Sequence, residues 1–136
     1  MADDGLDKPA SSKTRSLGVL IVAVLMILFG LAEIATGFTH NFIGQVSTST
    51  ASLSTILGVT LGAFYILAGL LLLTMRRTAA YIAIVLLCAD VLGRVGMVLA
   101  GLYPVDSFKQ TFAIVVGTLI AAFFAIYIGV RMKTFK

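Results

Sequence analysis

The sequence predicts an all-α integral membrane protein, a bundle of four transmembrane helices with its N and C termini cytoplasmic. Three observations carry that expectation. Of 136 residues, 60% are hydrophobic and only 12% charged, with a mean hydropathy of +1.08. That is too little polar side chain to clothe a soluble domain of this length. The apolar residues fall in four runs, each close to the roughly 20 residues a helix needs to cross about 30 Å of hydrocarbon. Lys and Arg gather at alternate ends of those runs.

Taken in order, residues 1–16, "MADDGLDKPASSKTRS", are polar and predict a disordered cytoplasmic tail. The transmembrane domain is expected over 17–130. Its first span is 17–37, followed by a Ser/Thr-rich connection, "FTHNFIGQVSTSTASLS". The second span, 55–75, stops at Arg76-Arg77. The third, 78–103, is closed by Pro104, with Tyr103 as an interfacial anchor, and the fourth is 110–130. Residues 131–136 form a short basic cytoplasmic tail. Helix is the state to expect, because the bilayer core offers no water to backbone amides and carbonyls. Barrel strands would be about half as long and would alternate in polarity. A cleaved leader is the alternative reading of the first run; Asp3, Asp4 and Asp7 before it, and its length, argue against that.

Orientation rests on the cations. Lys8, Lys13, Arg15, Arg76, Arg77, Arg131, Lys133 and Lys136 fall on one side, and only Lys109 flanks the spans on the other. Eight against one sets the first side as cytoplasmic by the positive-inside rule. The net charge of +4 therefore marks topology rather than a nucleic-acid surface. The expected setting is the cell (inner) membrane, with the bilayer as first partner and other membrane subunits or self as the next.

Chemical motifs are scarce. The one cysteine, Cys88, excludes an internal disulfide and a cysteine metal cluster, and reads as a small core residue. There is no phosphate-binding glycine loop, no HExxH, no paired histidine within the spans and no Ser/His/Asp set. His40 reads as a loop residue. Enzyme chemistry has little to stand on, and no metal is implied.

What remains is a set of charges inside the spans: Glu33, Asp90 and Arg94. A charge at bilayer depth costs roughly 2.5–3.5 kcal/mol on insertion scales, so such groups pair or face a wet cavity. Asp90 and Arg94 are four residues apart, on one helical face. Leu17 to Glu33 and Thr78 to Arg94 are the same 16 steps along two co-directional spans, about 24 Å of rise. The expectation is a Glu33–Arg94–Asp90 cluster in the outer half, with Thr60, Tyr65 and Thr118 at similar depth. The inner half is apolar apart from Tyr81, which argues against a continuous aqueous pore. Three roles stay open for the cluster: an ion-pair network that fixes helix register, a pocket for a small polar or quinone-like ligand, or a proton relay.

Helix association in lipid relies on small residues that let backbones approach. Gly58 and Gly62 form a GxxxG in the second span, with Gly69 two turns on, and Gly96 and Ala100 offer a pair in the third. The fourth carries Gly117, Ala121, Ala125 and Gly129 at four-residue spacing. Packing within one bundle is the first reading of these patterns; an oligomer contact through the fourth span is the second.

The stretches "LMILFGLAEIATGF" (residues 25–38) and "LGAFYILAGLLLLTMRRTAAYIAIVLL" (residues 61–87) resemble the DoxX-like group of small membrane proteins. The likeness covers about half the chain. It implies a four-helix bundle, sometimes a small subunit beside quinone-linked oxidoreductases, with quinone as the one cofactor suggested; no catalytic residue carries over. The function expected is an accessory or structural subunit of a larger membrane complex. The alternative is a carrier or binder of a small polar or quinone-like ligand in an outward-leaning pocket.

Overall fold

The computed structural model describes residues 16–42, 45–46, 52–102 and 106–136. Within them the chain is helical apart from one short strand pair. Four helices are long and apolar enough to cross a membrane: α1 (Leu17–Thr39), α2 (Ser52–Leu73), α3 (Arg77–Leu99) and α4 (Phe108–Val130). The strands β1 (Asn41–Phe42) and β2 (Gln45–Val46) pair antiparallel, Asn41 opposite Val46, in the connection after α1. The predicted disordered tail and the Tyr103-Pro104 anchor lie outside the described residues, Ser16 excepted.

The ends of the helices depart from the sequence boundaries by a few residues. The third span is the largest difference: α3 stops at Leu99, four residues before Tyr103. Gly101 takes a left-handed φ of 71°, which an L side chain resists and glycine accepts, so the helix is broken before Pro104 is reached. At the other end of the bundle α2 turns into α3 within Thr74–Arg76, and Met75 carries the positive φ of 55°.

Packing proceeds along the chain, each helix against the next. The α1–α2 seam is the tightest because glycine faces glycine. A Cβ on Gly30 would lie 2.6 Å from the carbonyl oxygen of Gly62, and one on Gly62 would lie 2.7 Å from that of Gly30. Gly37 abuts Gly58, and Gly69 meets the carbonyl of Ala23. The α3 face turned inward carries Ala83, Leu87, Asp90, Arg94 and Met97. Cys88 lies off that face and is exposed, so the expectation of a small core residue is corrected by one step of helical rotation.

The half of the bundle nearest the α2–α3 turn is an apolar plug. Val19, Val22, Ala23, Met26, Ala68, Leu72, Ala80, Ala83, Leu87, Phe124 and Ile128 form its buried core. A 3-10 turn, Met132–Thr134, follows α4, and Phe135 beyond it is buried in the same core. The last residue is bound by backbone on both sides. Lys136 N–H donates to Met75 O at 3.1 Å, and Arg77 N–H donates to Lys136 O at 2.7 Å. Arg77 opens α3, where amide donors lack a helical partner, so the tail supplies one.

Candidate functional site: a charged cluster joining the helices

Arg94 is the centre of the site. It sits on the buried face of α3, a turn and a half before the helix ends, and its side chain is 9% exposed. Nε donates to Asp90 Oδ2 at 3.0 Å, the i, i+4 contact that helical spacing brings about. Nη2 reaches across to Glu33 Oε2 of α1 at 3.1 Å. A planar guanidinium serves two carboxylates at once because its donors diverge in one plane.

The other two helices close around it. From α2, Tyr65 is buried and its ring lies under the guanidinium, with Cζ 5.9 Å from the ring centroid. From α4, Gly117 stands against Nη1: a Cβ there would be 3.2 Å from that nitrogen. All four helices therefore meet at one side chain. Tyr65 also packs edge-on against Phe124, centroids 6.5 Å apart, and Phe124 against Phe29 at 6.0 Å. Tyr65 and Phe124 thus connect the charges to the apolar plug.

Two acids share one base, so the cluster has one negative charge in excess when all three groups are ionised. Asp90 is fully buried, and its second oxygen, Oδ1, has no hydrogen-bond partner among the described residues. Unpaired buried acceptors are uncommon and costly in native structures. Beside Arg94, between α3 and α4, runs a cleft of about 250 Å³. Its walls are almost wholly apolar, lined by Val95, Val98, Ile114 and Val115 with Thr111 and Thr118 along α4.

The residues singled out from sequence divide unevenly. Glu33, Asp90, Arg94 and Tyr65 come together. Thr118 is half-buried and lines the cleft, its hydroxyl donating to Ile114 O at 2.9 Å. Thr60 does not join them. It lies on the exposed face of α2 and donates to Ile56 O at 2.7 Å, so its own helix satisfies it and no polar pocket is needed. Of the small-residue positions, Gly58 and Gly62 face α1, while Gly117 and Ala121 face inward on α4 and Ala125 packs against the core. Gly129 has open space where a Cβ would stand. Gly30 and Gly37 escaped the sequence reading, although their seven-residue spacing matches that of Gly62 and Gly69. His40 has a left-handed φ of 56°, and its Nε2 lies 3.4 Å from the Thr55 hydroxyl. Among the described residues no three His, Cys, Asp or Glu side chains gather as metal ligands.

None of the protein families, curated proteins or solved structures compared with this chain matches it. The site must be read from its own geometry.

Proposed function

We propose that this chain is a non-catalytic multi-pass protein of the cell (inner) membrane, both termini cytoplasmic, serving as an accessory or structural subunit of a larger assembly. One observation carries the reading: the charged residues of the spans are tied into a single inter-helix knot, Glu33–Arg94–Asp90. A knot of this kind fixes how the four helices are arranged, which is what a scaffold for neighbours requires. Coverage agrees with it. The apolar stretch of α4 is 17% buried, against 39% for α2, which leaves α4 the widest face for lipid or another subunit. The orientation is supported by the eight-to-one distribution of cations about the spans.

Co-purification in a mild detergent tests the role. A subunit keeps fixed partners through affinity capture and gel filtration; a chain that runs alone, at the mass of a single copy, overturns it. Single cysteines at Ser49 and Lys136, in a Cys88→Ser background, test the orientation. Labelling from outside is expected at position 49 only.

A second reading has its own observation, the cleft beside Arg94. A small, largely apolar molecule such as a quinone bound there would lie along Val95 and Ile114 with its polar end toward Arg94. Titration with a short-chain quinone separates the two. A saturable rise in thermal stability that Arg94→Gln removes favours the binder.

A further inference from the structure

At the end of the bundle opposite the cluster, the structure gathers cations that the sequence keeps far apart. Arg76 and Arg77 form the α2–α3 turn, and Arg131, Lys133 and Lys136 belong to the segment after α4. Their neighbourhood follows from the fold of the tail. Phe135 is buried in the core, and the two backbone hydrogen bonds of Lys136 clamp it to Met75 and Arg77. The tail is thus laid across the arginine turn rather than extended away from it. All five side chains belong to exposed residues.

No acidic side chain of the described residues pairs with them. Arg131 rests on the ring of Tyr127, 5.9 Å from its centroid, and among the described residues no ion pair involves any of the five. The described acids are elsewhere: Glu33 and Asp90 are in the cluster, and Asp106 precedes α4 at the other end. Five like charges on one small surface repel one another unless a counter-charge comes from outside. The surrounding surface tells which kind. Leu17, Tyr81, Val85, Ile126 and Val130 are exposed apolar side chains on the adjoining turns of α1, α3 and α4. A partner that meets both features carries anionic oxygen at the level of the cations and hydrocarbon directly beside it.

The geometry points to a seat for the headgroup of an anionic phospholipid, built jointly by the α2–α3 turn and the folded-back tail. Basic clusters at the membrane surface attract anionic lipid, and the attraction fades within a Debye length. Charge placement for topology requires only that cations stay on one side. It does not require the tail to be pinned onto the turn, and that pinning is what makes this a site. The inference is independent of the proposed subunit role, since it concerns the other end of the molecule and holds for either leaflet.

The test uses the full chain in neutral detergent, with its thermal midpoint measured in added phosphatidylglycerol or phosphatidylcholine of identical acyl chains. The glycerol lipid is expected to raise the midpoint by several degrees more than the choline lipid. The difference should vanish near 1 M salt, where the Debye length is about 3 Å. Arg76→Gln/Arg77→Gln and Lys133→Gln/Lys136→Gln should each abolish it, because the seat needs both halves. Phe135→Ser keeps all five charges but unpins the tail; with helical content unchanged by circular dichroism, it too should lose the preference. Equal response to the two lipids overturns the proposal. So does an equal gain from inorganic phosphate, or full preference retained by either double variant or by Phe135→Ser. If a preference emerges only in Asp3→Asn/Asp4→Asn/Asp7→Asn, the chain's own acidic segment holds the seat and the lipid does not.

Discussion

The α1–α2 seam and the α3 side of the bundle are held by different physics. Along the first, backbone touches backbone: Gly30 against Gly62, Gly37 against Gly58 and Ala23 against Gly69, in antiparallel order. Along the second, Ala80, Ala83 and Leu87 pack into the apolar core, but Gly96 meets nothing within 4 Å, a cleft opens toward α4, and a charged side chain adds a further tie to the rest. Arg94 joins α3 to α1 through Glu33 and rests on Tyr65 of α2 and Gly117 of α4. In lipid the hydrophobic effect does not press helices together, so either close approach or a polar bond has to do so. This protein uses glycine contact along the first seam and adds a polar bond to side-chain packing along the second. A small residue helps only where a partner's backbone comes to meet it.

The largest expected effect breaks the charged tie. Arg94→Ala leaves the buried Asp90 and the partly exposed Glu33 without their base, and removing one partner of a buried pair costs about 3–5 kcal/mol. Glu33→Gln keeps the Arg94–Asp90 contact at 3.0 Å and removes the surplus negative charge, so it should cost distinctly less. The double variant Glu33→Gln/Arg94→Gln, neutral at both positions, should be milder than Arg94→Ala alone. Unfolding by sodium dodecyl sulfate, followed by circular dichroism, measures all three. If Arg94→Ala is harmless and shows no coupling to Glu33, the bundle is not held by this cluster.

Next in size is the glycine seam. Gly62→Val would drive a Cβ toward the Gly30 carbonyl at 2.7 Å and the Ile34 amide at 2.9 Å, backbone atoms that cannot swing aside. Overpacking of this kind costs about 1–3 kcal/mol. Gly117→Ala is the counterpart on the charged side. Its Cβ meets the end of Arg94 at 3.2 Å, a flexible side chain that yields by a few tenths of an ångström. The same unfolding assay should therefore rank Gly62→Val well below Gly117→Ala. Equal costs would mean that both seams depend on close approach.

How much of this the sequence disclosed depends on whether a residue's partner can be counted. Glu33 and Arg94 could be matched because two helices running the same way rise about 1.5 Å per residue from comparable starts. Asp90 followed from its four-residue offset. Depth alone misled for Thr60, since a hydroxyl can bond the carbonyl one turn back and ignore the bundle interior. Small-residue spacing marks a face but not what lies opposite, so Gly117 and Gly129 looked alike although only one has a neighbour. The fold-back of the tail was illegible for a related reason. Phe135 is one aromatic among basic residues, and only the shape of the core beneath it shows that it is a plug.

The smallest effect sharpens the comparison most. At Gly96 and Gly129 an added Cβ meets no atom within 4 Å, so Ala has room at both. Both lie in helices, where Ala is favoured over Gly by roughly 0.5–1 kcal/mol in a helix interior and by less near an end. Gly96→Ala should therefore be neutral to slightly stabilising, and Gly129→Ala, next to the end of α4, nearly silent. The alternative assigned to the fourth-span ridge was contact between copies of the chain. If a second copy occupies the open space at Gly129, the added methyl group would lower the oligomer mass in gel filtration even as the isolated bundle stays intact. An unchanged mass together with an unchanged unfolding midpoint leaves packing within the bundle, through Gly117, Ala121 and Ala125, as the role of that ridge.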